Sequence, residues 1–392
     1  MYQIKTLNSI SPVYKDVLDK NYTVCADCER PDAIIVRSAD MHAYELSENT
    51  LCVARAGAGY NNIPVDDYAV RGVVAFNTPG ANANAVKELV LAGMLLSSRK
   101  IADAMNWCLT IADKGAEVEK LVEKGKNQFV GPELAGKTLG VIGLGAVGRL
   151  VANASVALEM SVLGHDPFIS VDNAWLLSRA VKHATDMDQL LATSDYVSVH
   201  VPLSDQTRHM FGAERLSKMK PGAVLMNFSR GGLVDNEAVK AALNAGRLRA
   251  YVTDFPSADL IGAPGVICIP HLGASTPESE DNCVVMASRQ IMNYLARGSI
   301  VNAVNFPDCP LGPVAKPRLV ILHKNVPNVI QAVLKLVTES EENLNIDDMV
   351  NKSRGTNAVT VLDFDRAPSA ELVGRISALL TTYRVRLLAS EA

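Results

Sequence analysis

The sequence predicts an α/β protein with two parallel sheets and a smaller antiparallel domain near its C-terminal end. Short apolar runs alternate with helical periodicity over residues 33–296, which is typical of strands and helices in parallel sheets. A glycine-rich turn near residue 143 joins a buried strand to an apolar helix. After residue 318 the order is strand, helix, strand, strand, helix, strand, which is the order of ferredoxin-like domains.

The first segment predicts three strands that each lead into a polar turn. Apolar runs at 33–36, 51–54 and 72–76 are predicted strands, and Arg37 and Arg55 follow the first two. Ligands of parallel sheets collect beyond the carboxyl ends of the strands. Two arginines beside a glycine-rich turn therefore indicate an anion site, although each arginine alone fits an ordinary surface position. Helical patterns follow at 84–100 and 101–126.

The strongest local signal is Gly143-x-Gly145-x-x-Gly148, between a predicted strand at 138–142 and a predicted helix at 147–158. The first glycine permits a tight turn, the second lets a pyrophosphate approach the backbone, and the third lets helix and strand pack closely. The helix start offers free N–H groups to phosphates. Asp166 ends the next strand, where an acid accepts hydrogen bonds from an adenosine ribose. The pattern predicts a Rossmann-type domain that binds NAD rather than NADP.

The alternation continues through predicted strands at 161–164, 196–200, 223–227, 251–253 and 266–269. Predicted helices fall at 186–192, 235–244 and 276–296. Polar residues follow nearly every strand, and the sheet brings them to one edge.

Three of these polar residues suit the oxidation of an alcohol. His271 is a candidate base, since imidazole titrates near neutral pH. Arg230 can clamp a carboxylate through paired hydrogen bonds. Asp259 can hold the imidazole in one tautomer. Alone, His271 could be a histidine satisfied inside the fold, and Asp259 an ordinary loop acid.

Together and in this order, the 143–148 turn with Asp166, His200-Val201-Pro202, the 227–232 segment and the 270–276 segment resemble the D-isomer-specific 2-hydroxyacid dehydrogenases. The resemblance covers residues 37–304. It implies that Arg230 binds the substrate carboxylate, that His271 is the acid/base and that Asp259 pairs with it. The family usually has glutamate at position 259, so the pair is expected to be weaker here or bridged by water. The cofactor contacts implied by motif and resemblance are Gly143, Gly145, Ala146, Val147, Gly148, Asp166, His200, Val201, Pro202, Thr207, Ser229, Asp254, Gly273 and Ala274.

Two further features resemble the branch of the family that oxidises D-3-phosphoglycerate. The implied substrate contacts are Arg37, Ser38, Arg55, Ala56, Gly57 and Asn82. The tail resembles the regulatory ACT domain of that branch, which binds L-serine between two copies. His323, Asn325 and Asn345 occupy the matching positions. An L-serine effector is therefore expected, with a tail that only dimerises as the alternative.

The predicted architecture has four parts. A flavodoxin-like substrate domain at 1–98 and 276–306 receives a Rossmann-type NAD domain at 99–275 as an insertion. A proline-rich linker at 307–316 leads to the ferredoxin-like ACT domain at 317–392. The family resemblance and symmetry favour a homodimer or homotetramer.

Composition limits the other classes of function. The formal net charge of −4 gives no electrostatic footprint for nucleic acid or anionic membranes, and no long apolar run predicts a membrane span. We expect a cytoplasmic protein with no metal site and with reduced cysteines in its core, so Cys25-Ala-Asp-Cys28 is expected to have no special role. The alternatives are another 2-hydroxyacid dehydrogenase, acting on glyoxylate, hydroxypyruvate or D-lactate, and an NAD-sensing binding protein without catalysis.

Overall fold

The computed structural model describes residues 1–390, which divide into two compact units. Unit 1 contains residues 1–81 together with the chain from residue 280 onward, and unit 2 contains residues 82–279. Unit 1 is discontinuous in the chain, and its first segment ends at residue 81, whereas the predicted substrate domain extends to residue 98. The C-terminal segment clusters with unit 1 instead of standing apart as a separate domain.

Unit 1 is built on a five-stranded parallel sheet in the order β2-β1-β3-β4-β5, the order of flavodoxin-like sheets. Residues 33–36 are all buried, as expected for a strand with both faces covered. The sequence pattern does not reveal β1 and β2, because polar residues such as Gln3 and Lys5 interrupt their apolar runs. The elements are β1 (Tyr2–Leu7), α1 (Tyr14–Val17), β2 (Tyr22–Cys25), β3 (Ala33–Val36), β4 (Cys52–Arg55), α2 (Val65–Val70) and β5 (Val74–Phe76).

Unit 2 contains a seven-stranded sheet whose strands all pair in parallel, in the order β12-β11-β10-β9-β6-β7-β8. The order reverses between β6 and β9, so the fold class predicted for this part of the chain is confirmed. Its strands are β6 (Thr138–Ile142), β7 (Ser161–His165), β8 (Lys182–His183), β9 (Tyr196–Val199), β10 (Ala223–Asn227), β11 (Leu248–Thr253) and β12 (Val266–Cys268).

The helices of unit 2 cover both faces of this sheet. The predicted helical stretch at 101–126 is broken into shorter pieces, and Lys100 adopts a left-handed conformation (φ 48°) where the chain leaves α3. The helices are α3 (Ala83–Arg99), α4 (Ile101–Thr110), α5 (Val118–Gly125), α6 (Ala146–Ala157), α7 (Val171–Trp175), α8 (Met187–Thr193), α9 (Ala213–Lys218) and α10 (Asn236–Asn244).

After α11 (Pro277–Arg297), the C-terminal domain follows the predicted βαββαβ order. It forms an antiparallel sheet with the strand order β14-β15-β13-β16. One face of this sheet packs under two helices, and Leu319, Ile321 and Leu362 lie in that core. The elements are β13 (Arg318–Lys324), α12 (Val329–Thr338), β14 (Ile346–Arg354), β15 (Asn357–Phe364), α13 (Ala370–Ser377) and β16 (Thr382–Leu388).

The other face of the C-terminal sheet packs into the core of unit 1. Val320, Leu322 and Val361 belong to the same buried cluster as Ile4 and Tyr294. Arginines from β16 reinforce this contact by donating to backbone carbonyls of unit 1. The donors and acceptors are Arg384 to Thr50, Glu48 and Arg71, and Arg386 to Tyr294 and Leu295.

The segment predicted as a linker, 307–316, is part of that core. Cys309 and Val314 are buried, and Cys309 pairs with Ile300 in an isolated antiparallel bridge. Four prolines in the 307–317 stretch predict an irregular backbone, which is correct. The same prolines do not predict an exposed one, because burial depends on the surface that the segment meets.

Two expectations about the cysteines are wrong. Cys25 and Cys28 form a disulfide, because the turn after β2 brings their Cα atoms to 5.7 Å. Cys52, Cys283 and Cys309 are buried as expected, whereas Cys108 is exposed and Cys268 is half-buried. Within residues 1–390 no helix is both long and apolar enough to cross a membrane.

Candidate active site

The glycine loop, residues 143–148, lies at the point where the strand order of unit 2 reverses. Gly143 has a φ of 88°, and a Cβ there would lie 2.4 Å from the carbonyl oxygen of His200. A Cβ on Gly148 would lie 1.9 Å from the carbonyl oxygen of Gly143. Both positions therefore require glycine for close packing. A Cβ on Gly145 would meet nothing within 4 Å, so the backbone is open on that side.

Helix α6 begins directly after this loop with its first N–H groups free of a side-chain cap. Gly145 is the N-cap residue and can supply no capping side chain, and Ala146 and Val147 form the first turn. Uncapped N–H groups at a helix N-terminus suit a phosphate group. The loop and the helix start therefore have the geometry of a dinucleotide site.

Asp166 ties the glycine loop to the end of β7. Its Oδ2 accepts a hydrogen bond from the backbone N–H of Leu144 at 2.8 Å, and its Oδ1 accepts from that of Phe168 at 2.9 Å. A carboxylate oxygen can accept more than one hydrogen bond, so both oxygens retain capacity for ribose hydroxyls. The position agrees with the predicted ribose contact.

His200 lies at the end of β9 and is held in its neutral form. Burial of the imidazole lowers the pKa of His200 to about 4. Its Nε2 lies 2.8 Å from Ser198 Oγ, while its Nδ1 is buried without a hydrogen-bond partner. Val201 and Pro202 continue the chain, and Thr207 Oγ1 donates to the Pro202 carbonyl at 2.7 Å. This hydrogen bond closes the loop at residues 202–207, which follows β9 beside the glycine loop.

Arg230 is positioned by a buried asparagine that the sequence analysis did not single out. Asn227 Nδ2 donates to the carbonyl oxygen of Arg230 at 2.9 Å, and Asn227 Oδ1 accepts from the N–H of Ser229. Ser229 Oγ donates to the carbonyl of Val199 at 2.8 Å. The turn after β10 is therefore rigid at its base, while the Arg230 side chain is exposed.

Asp254, at the end of β11, is the buried carboxyl group of the site. Burial raises the pKa of Asp254 to about 6, and the charges of His271 and Arg230 act in the opposite direction. Its Oδ1 is buried without a partner, and a Cβ on Gly273 would lie 3.4 Å from its Oδ2. An orphaned buried acceptor beside the glycine fits a hydrogen-bond donor such as an amide. Ala274 follows Gly273 and is exposed.

The predicted hydrogen bond between Asp259 and His271 is not formed. Asp259 accepts from Ser257 Oγ at 2.7 Å and from Asn236 Nδ2 at 3.1 Å, and Lys240 Nζ lies 3.5 Å away. These hydrogen bonds, that from Ser257 first, lower the pKa of Asp259. The carboxylate of Asp259 has its hydrogen-bond partners on the α10 side of the loop, which corrects the expected pairing of Asp259 with His271.

The imidazole of His271 instead lies against an aromatic ring. The ring centroids of Phe255 and His271 are 4.7 Å apart. A Cβ on Gly231, the residue after Arg230, would lie 3.3 Å from Phe255 Cβ. Phe255 thus lies against His271 and close to the residue that follows Arg230. Only its position, directly after Asp254 at a strand end, could have drawn attention to it in the sequence.

In unit 1, the predicted anion-binding residues lie at the carboxyl ends of two adjacent strands. Val36 pairs with Arg55 across β3 and β4, and Arg55 Nε donates to the carbonyl of Arg37 at 3.1 Å. The Arg55 guanidinium lies over Gly57, where a Cβ would be 1.9 Å from Nη1. Ala56 is buried and Ser38 is exposed. Asn82 belongs to unit 2, where its carbonyl accepts the first hydrogen bond of α3 from Val86.

The three predicted effector residues do not form one site within a single chain. His323 is buried, with Nδ1 2.8 Å from the carbonyl of Lys324 and Nε2 2.8 Å from Thr360 Oγ1, and burial lowers its pKa. Asn325 donates to the carbonyl of Gly355 at the same end of the sheet. Asn345 precedes β14 at the opposite end and donates to Asp347.

The match to known proteins covers much of the chain. A sequence model described as the NAD-binding domain of D-isomer-specific 2-hydroxyacid dehydrogenases matches residues 91–273. A hydroxypyruvate reductase of Thermotoga maritima is 36% identical over 64% of this chain and 80% of that protein.

Two further relatives carry a different name. A D-3-phosphoglycerate dehydrogenase of Archaeoglobus fulgidus is 37% identical over 70% of this chain and 52% of that protein. This chain therefore spans about half the length of that relative. The crystal structure of an NAD⁺-bound 3-phosphoglycerate dehydrogenase of Entamoeba histolytica is similar, with a TM-score of 0.60 and 25% identity, over 78% of this chain and 98% of that one.

Proposed function

Because the chain belongs to the D-isomer-specific 2-hydroxyacid dehydrogenase family, we propose that it oxidises D-3-phosphoglycerate to 3-phosphohydroxypyruvate with NAD. One observation carries the reaction type. The strand ends of unit 2 present Arg230, Asp254 and His271 together. Phe255, directly after Asp254, has its ring centroid 4.7 Å from that of His271 and lies close to Gly231, the residue after Arg230. The substrate is inferred from the Archaeoglobus relative and from the two arginines of unit 1.

The residues of unit 2 fit NAD. The open side of Gly145 and the uncapped start of α6 would receive the pyrophosphate, and Asp166 the adenosine ribose. The unpartnered Oδ1 of Asp254 would accept from the nicotinamide amide. The carboxylate of Asp166 would repel a 2′-phosphate, which favours NAD over NADP. Bound NAD supplies the acceptor for the hydride that leaves C2.

The protein groups handle the proton and the substrate charge. A ring nitrogen of His271 takes the proton of the C2 hydroxyl while the Arg230 guanidinium holds the carboxylate through paired hydrogen bonds. The Arg230 side chain is exposed, and within the described residues its guanidinium donates one hydrogen bond, from Nη1 to the adjacent carbonyl of Ser229 at 2.6 Å, so it is free to reorient. Arg37 and Arg55 of unit 1 bind the phosphate or the carboxylate end.

A second candidate function is the reduction of hydroxypyruvate. It is favoured by the coverage of the Thermotoga hydroxypyruvate reductase, most of whose length this chain spans. The two candidates share the base and the clamp and differ in the phosphate group of the substrate.

We also propose a homodimer or homotetramer and an L-serine effector. The βαββαβ order of the C-terminal domain supports an effector role, as does the position of His323 and Asn325 at one end of its sheet. Because Asn345 lies at the other end, a site containing all three residues needs a second copy of the chain.

The experiment that tests the reaction measures NADH formation from NAD with D-3-phosphoglycerate, and with D-glycerate as the control. We expect a strong preference for the phosphorylated acid. Equal rates would leave a 2-hydroxyacid dehydrogenase with another substrate, and no turnover of any 2-hydroxy acid would contradict the proposal.

A further inference from the structure

We propose that Glu280 competes with the anionic group of the substrate for Arg37, so that an internal ion pair sets the affinity and selectivity of the anion site. The inference rests on the proposed function in one respect, the assignment of Arg37 to the substrate anion. The Arg37 Nη2 to Glu280 Oε1 distance is 2.6 Å, and each side chain is 38% exposed. The pair is therefore formed but accessible to water and to small anions.

The pair lies at the edge of the sheet where the anion is expected. Arg37 follows β3 and Arg55 ends β4, and the hydrogen bond from Arg55 Nε to the Arg37 carbonyl joins the two turns. Glu280 reaches this edge from the first turn of α11. Glu280 occupies Nη2 of the guanidinium. An anion that forms paired hydrogen bonds through Nη2 must therefore displace the Glu280 carboxylate from that nitrogen.

A second observation shows that the charges of Arg37, Arg55 and Glu280 all lie near Cys283. Cys283 lies one helical turn after Glu280 in α11 and is buried. Burial raises the pKa of Cys283, while the positive charges of Arg55 and Arg37 lower it and the negative charge of Glu280 raises it. The carboxylate of Glu280 therefore lies within the field of both arginines and partly neutralises it.

The space beside the pair cannot hold an anion while the pair is closed. The cavity next to Arg37 and Glu280, lined by Ser9, Ser11 and Ala56, has a volume of about 10 Å³. That volume holds at most a water molecule. From this cavity, a phosphate or carboxylate group can take up Nη2 of Arg37 only when the Glu280 carboxylate moves away. A phosphate dianion competes for Arg37 better than a monoanionic carboxylate, so Glu280 favours doubly charged ligands.

A purely structural role is the competing explanation. An acid in the first turn complements the helix dipole, and the pair also ties α11 to the end of β3. Such a role predicts that neutralising Glu280 lowers stability and leaves ligand affinity unchanged or weaker. Competition predicts that neutralising Glu280 raises the affinity for the anion, because the ligand no longer has to break an ion pair.

The experiment uses the full chain with Glu280→Gln, and Glu280→Ala as a second variant should the first fold poorly. Asp281→Asn is the matched control, since Asp281 is adjacent and accepts its hydrogen bond from Ser11. The measurements are the KM for D-3-phosphoglycerate at saturating NAD and the dissociation constant of inorganic phosphate by calorimetry. We expect Glu280→Gln to lower both by about two- to five-fold, the size of a half-exposed ion pair, and Asp281→Asn to change neither.

A double variant links the effect to Arg37. In an Arg37→Gln background, Glu280→Gln should have no effect on phosphate affinity, whereas an equal gain there would overturn the proposal. Unchanged or weaker phosphate binding in Glu280→Gln would also overturn it. If the wild-type chain does not oxidise D-3-phosphoglycerate, the proposed substrate is wrong, and the phosphate titration still decides whether Glu280 competes for Arg37.

Discussion

The Phe255 ring and the His271 imidazole are in contact, with ring centroids 4.7 Å apart and planes inclined by 51°. Among the described residues, no side chain forms a hydrogen bond with the exposed imidazole. The contact with Phe255 is therefore what restricts the rotation of the proposed base. Phe255 thereby acts as a positioning residue for a proton transfer that depends on the orientation of His271.

Replacing Phe255 with leucine tests this role. Phe255→Leu should lower kcat about ten-fold and leave the KM for NAD nearly unchanged, because the ring orients the base without holding the cofactor. Phe255→Tyr keeps the ring and should restore most of the activity. The pH profile of kcat separates this outcome from a folding defect. A misoriented base should change the profile, whereas a smaller amount of active enzyme lowers the rate equally at every pH. Equal rates for the leucine and wild-type proteins would show that the ring is not needed.

His271→Ala should abolish turnover, because the variant lacks the imidazole that takes the proton of the C2 hydroxyl. NADH binding, measured by fluorescence titration, should remain within about two-fold of the wild type, since the predicted cofactor contacts lie on other residues. A folded variant that no longer binds NADH would assign His271 to the cofactor instead.

Asp259 should matter far less than His271. Its carboxylate is held by Ser257 and Asn236, so Asp259→Asn is expected to lower kcat/KM by less than about ten-fold, and Asp259→Glu should keep or raise activity. The comparison is made on kcat/KM across pH 6–9. A loss in Asp259→Asn as large as that of His271→Ala would mean that Asp259 turns toward the base when substrate binds.

Two titratable groups of unit 2, Asp254 and His200, should change the pH dependence of stability in opposite directions. The folded pKa of Asp254 is raised to about 6, so the folded state binds its proton more tightly than the unfolded state. This favours folding at low pH and is lost as pH rises from about 4 to 6. The folded pKa of His200 is lowered to about 4, so its contribution is present above about 6.5 and lost as pH falls. Each amounts to about 3 kcal/mol.

Urea unfolding at several pH values measures the two contributions. Relative to wild type, Asp254→Asn should gain about 3 kcal/mol between pH 4 and pH 8, and His200→Gln should lose a similar amount over the same range. The sign of each change is the decisive result. A wild-type-like pH dependence in Asp254→Asn would show that this carboxyl is hydrated in solution.

Arg384 should stabilise the packing of the C-terminal domain against the rest of unit 1. Its guanidinium donates to three backbone carbonyls, and removing it leaves these acceptors without a protein partner. Arg384→Gln should lower the free energy of unfolding by about 1–3 kcal/mol. Arg375→Gln, at an exposed position of α13, is the control and should change it by less than about 0.5 kcal/mol. Equal stability of the two variants would contradict the role of Arg384.

The features that the sequence predicted correctly depend on local geometry. The spacing of Gly143, Gly145 and Gly148 determines a strand, a turn and a helix within a dozen residues, and Asp166 follows from the next strand. The structure confirms this arrangement because each part needs only its neighbours in the chain.

The features that sequence reasoning missed depend on side chains brought together by the fold. Asp259 keeps the spacing expected of a partner for His271, yet Asn236 on α10 supplies a hydrogen bond that spacing cannot reveal. The packing of the C-terminal sheet on both of its faces is visible in the sequence. In β13, Leu319 and Ile321 alternate with Val320 and Leu322, so both faces of the strand are apolar, which indicates burial on both sides.

The shared core of unit 1 imposes an order on biosynthesis. Ile4 and Leu388 belong to the same buried cluster, so the first strands emerge from the ribosome long before the strand that completes their packing. Unit 2 is continuous in the chain, from residue 82 to 279, and can fold as soon as it has been translated. The N-terminal strands keep their apolar surface exposed until the C-terminal strands have been synthesised. Chaperones that shield nascent chains would therefore protect residues 1–81 longest, and premature termination before β16 would yield a protein with a folded middle and an unfinished N-terminal unit.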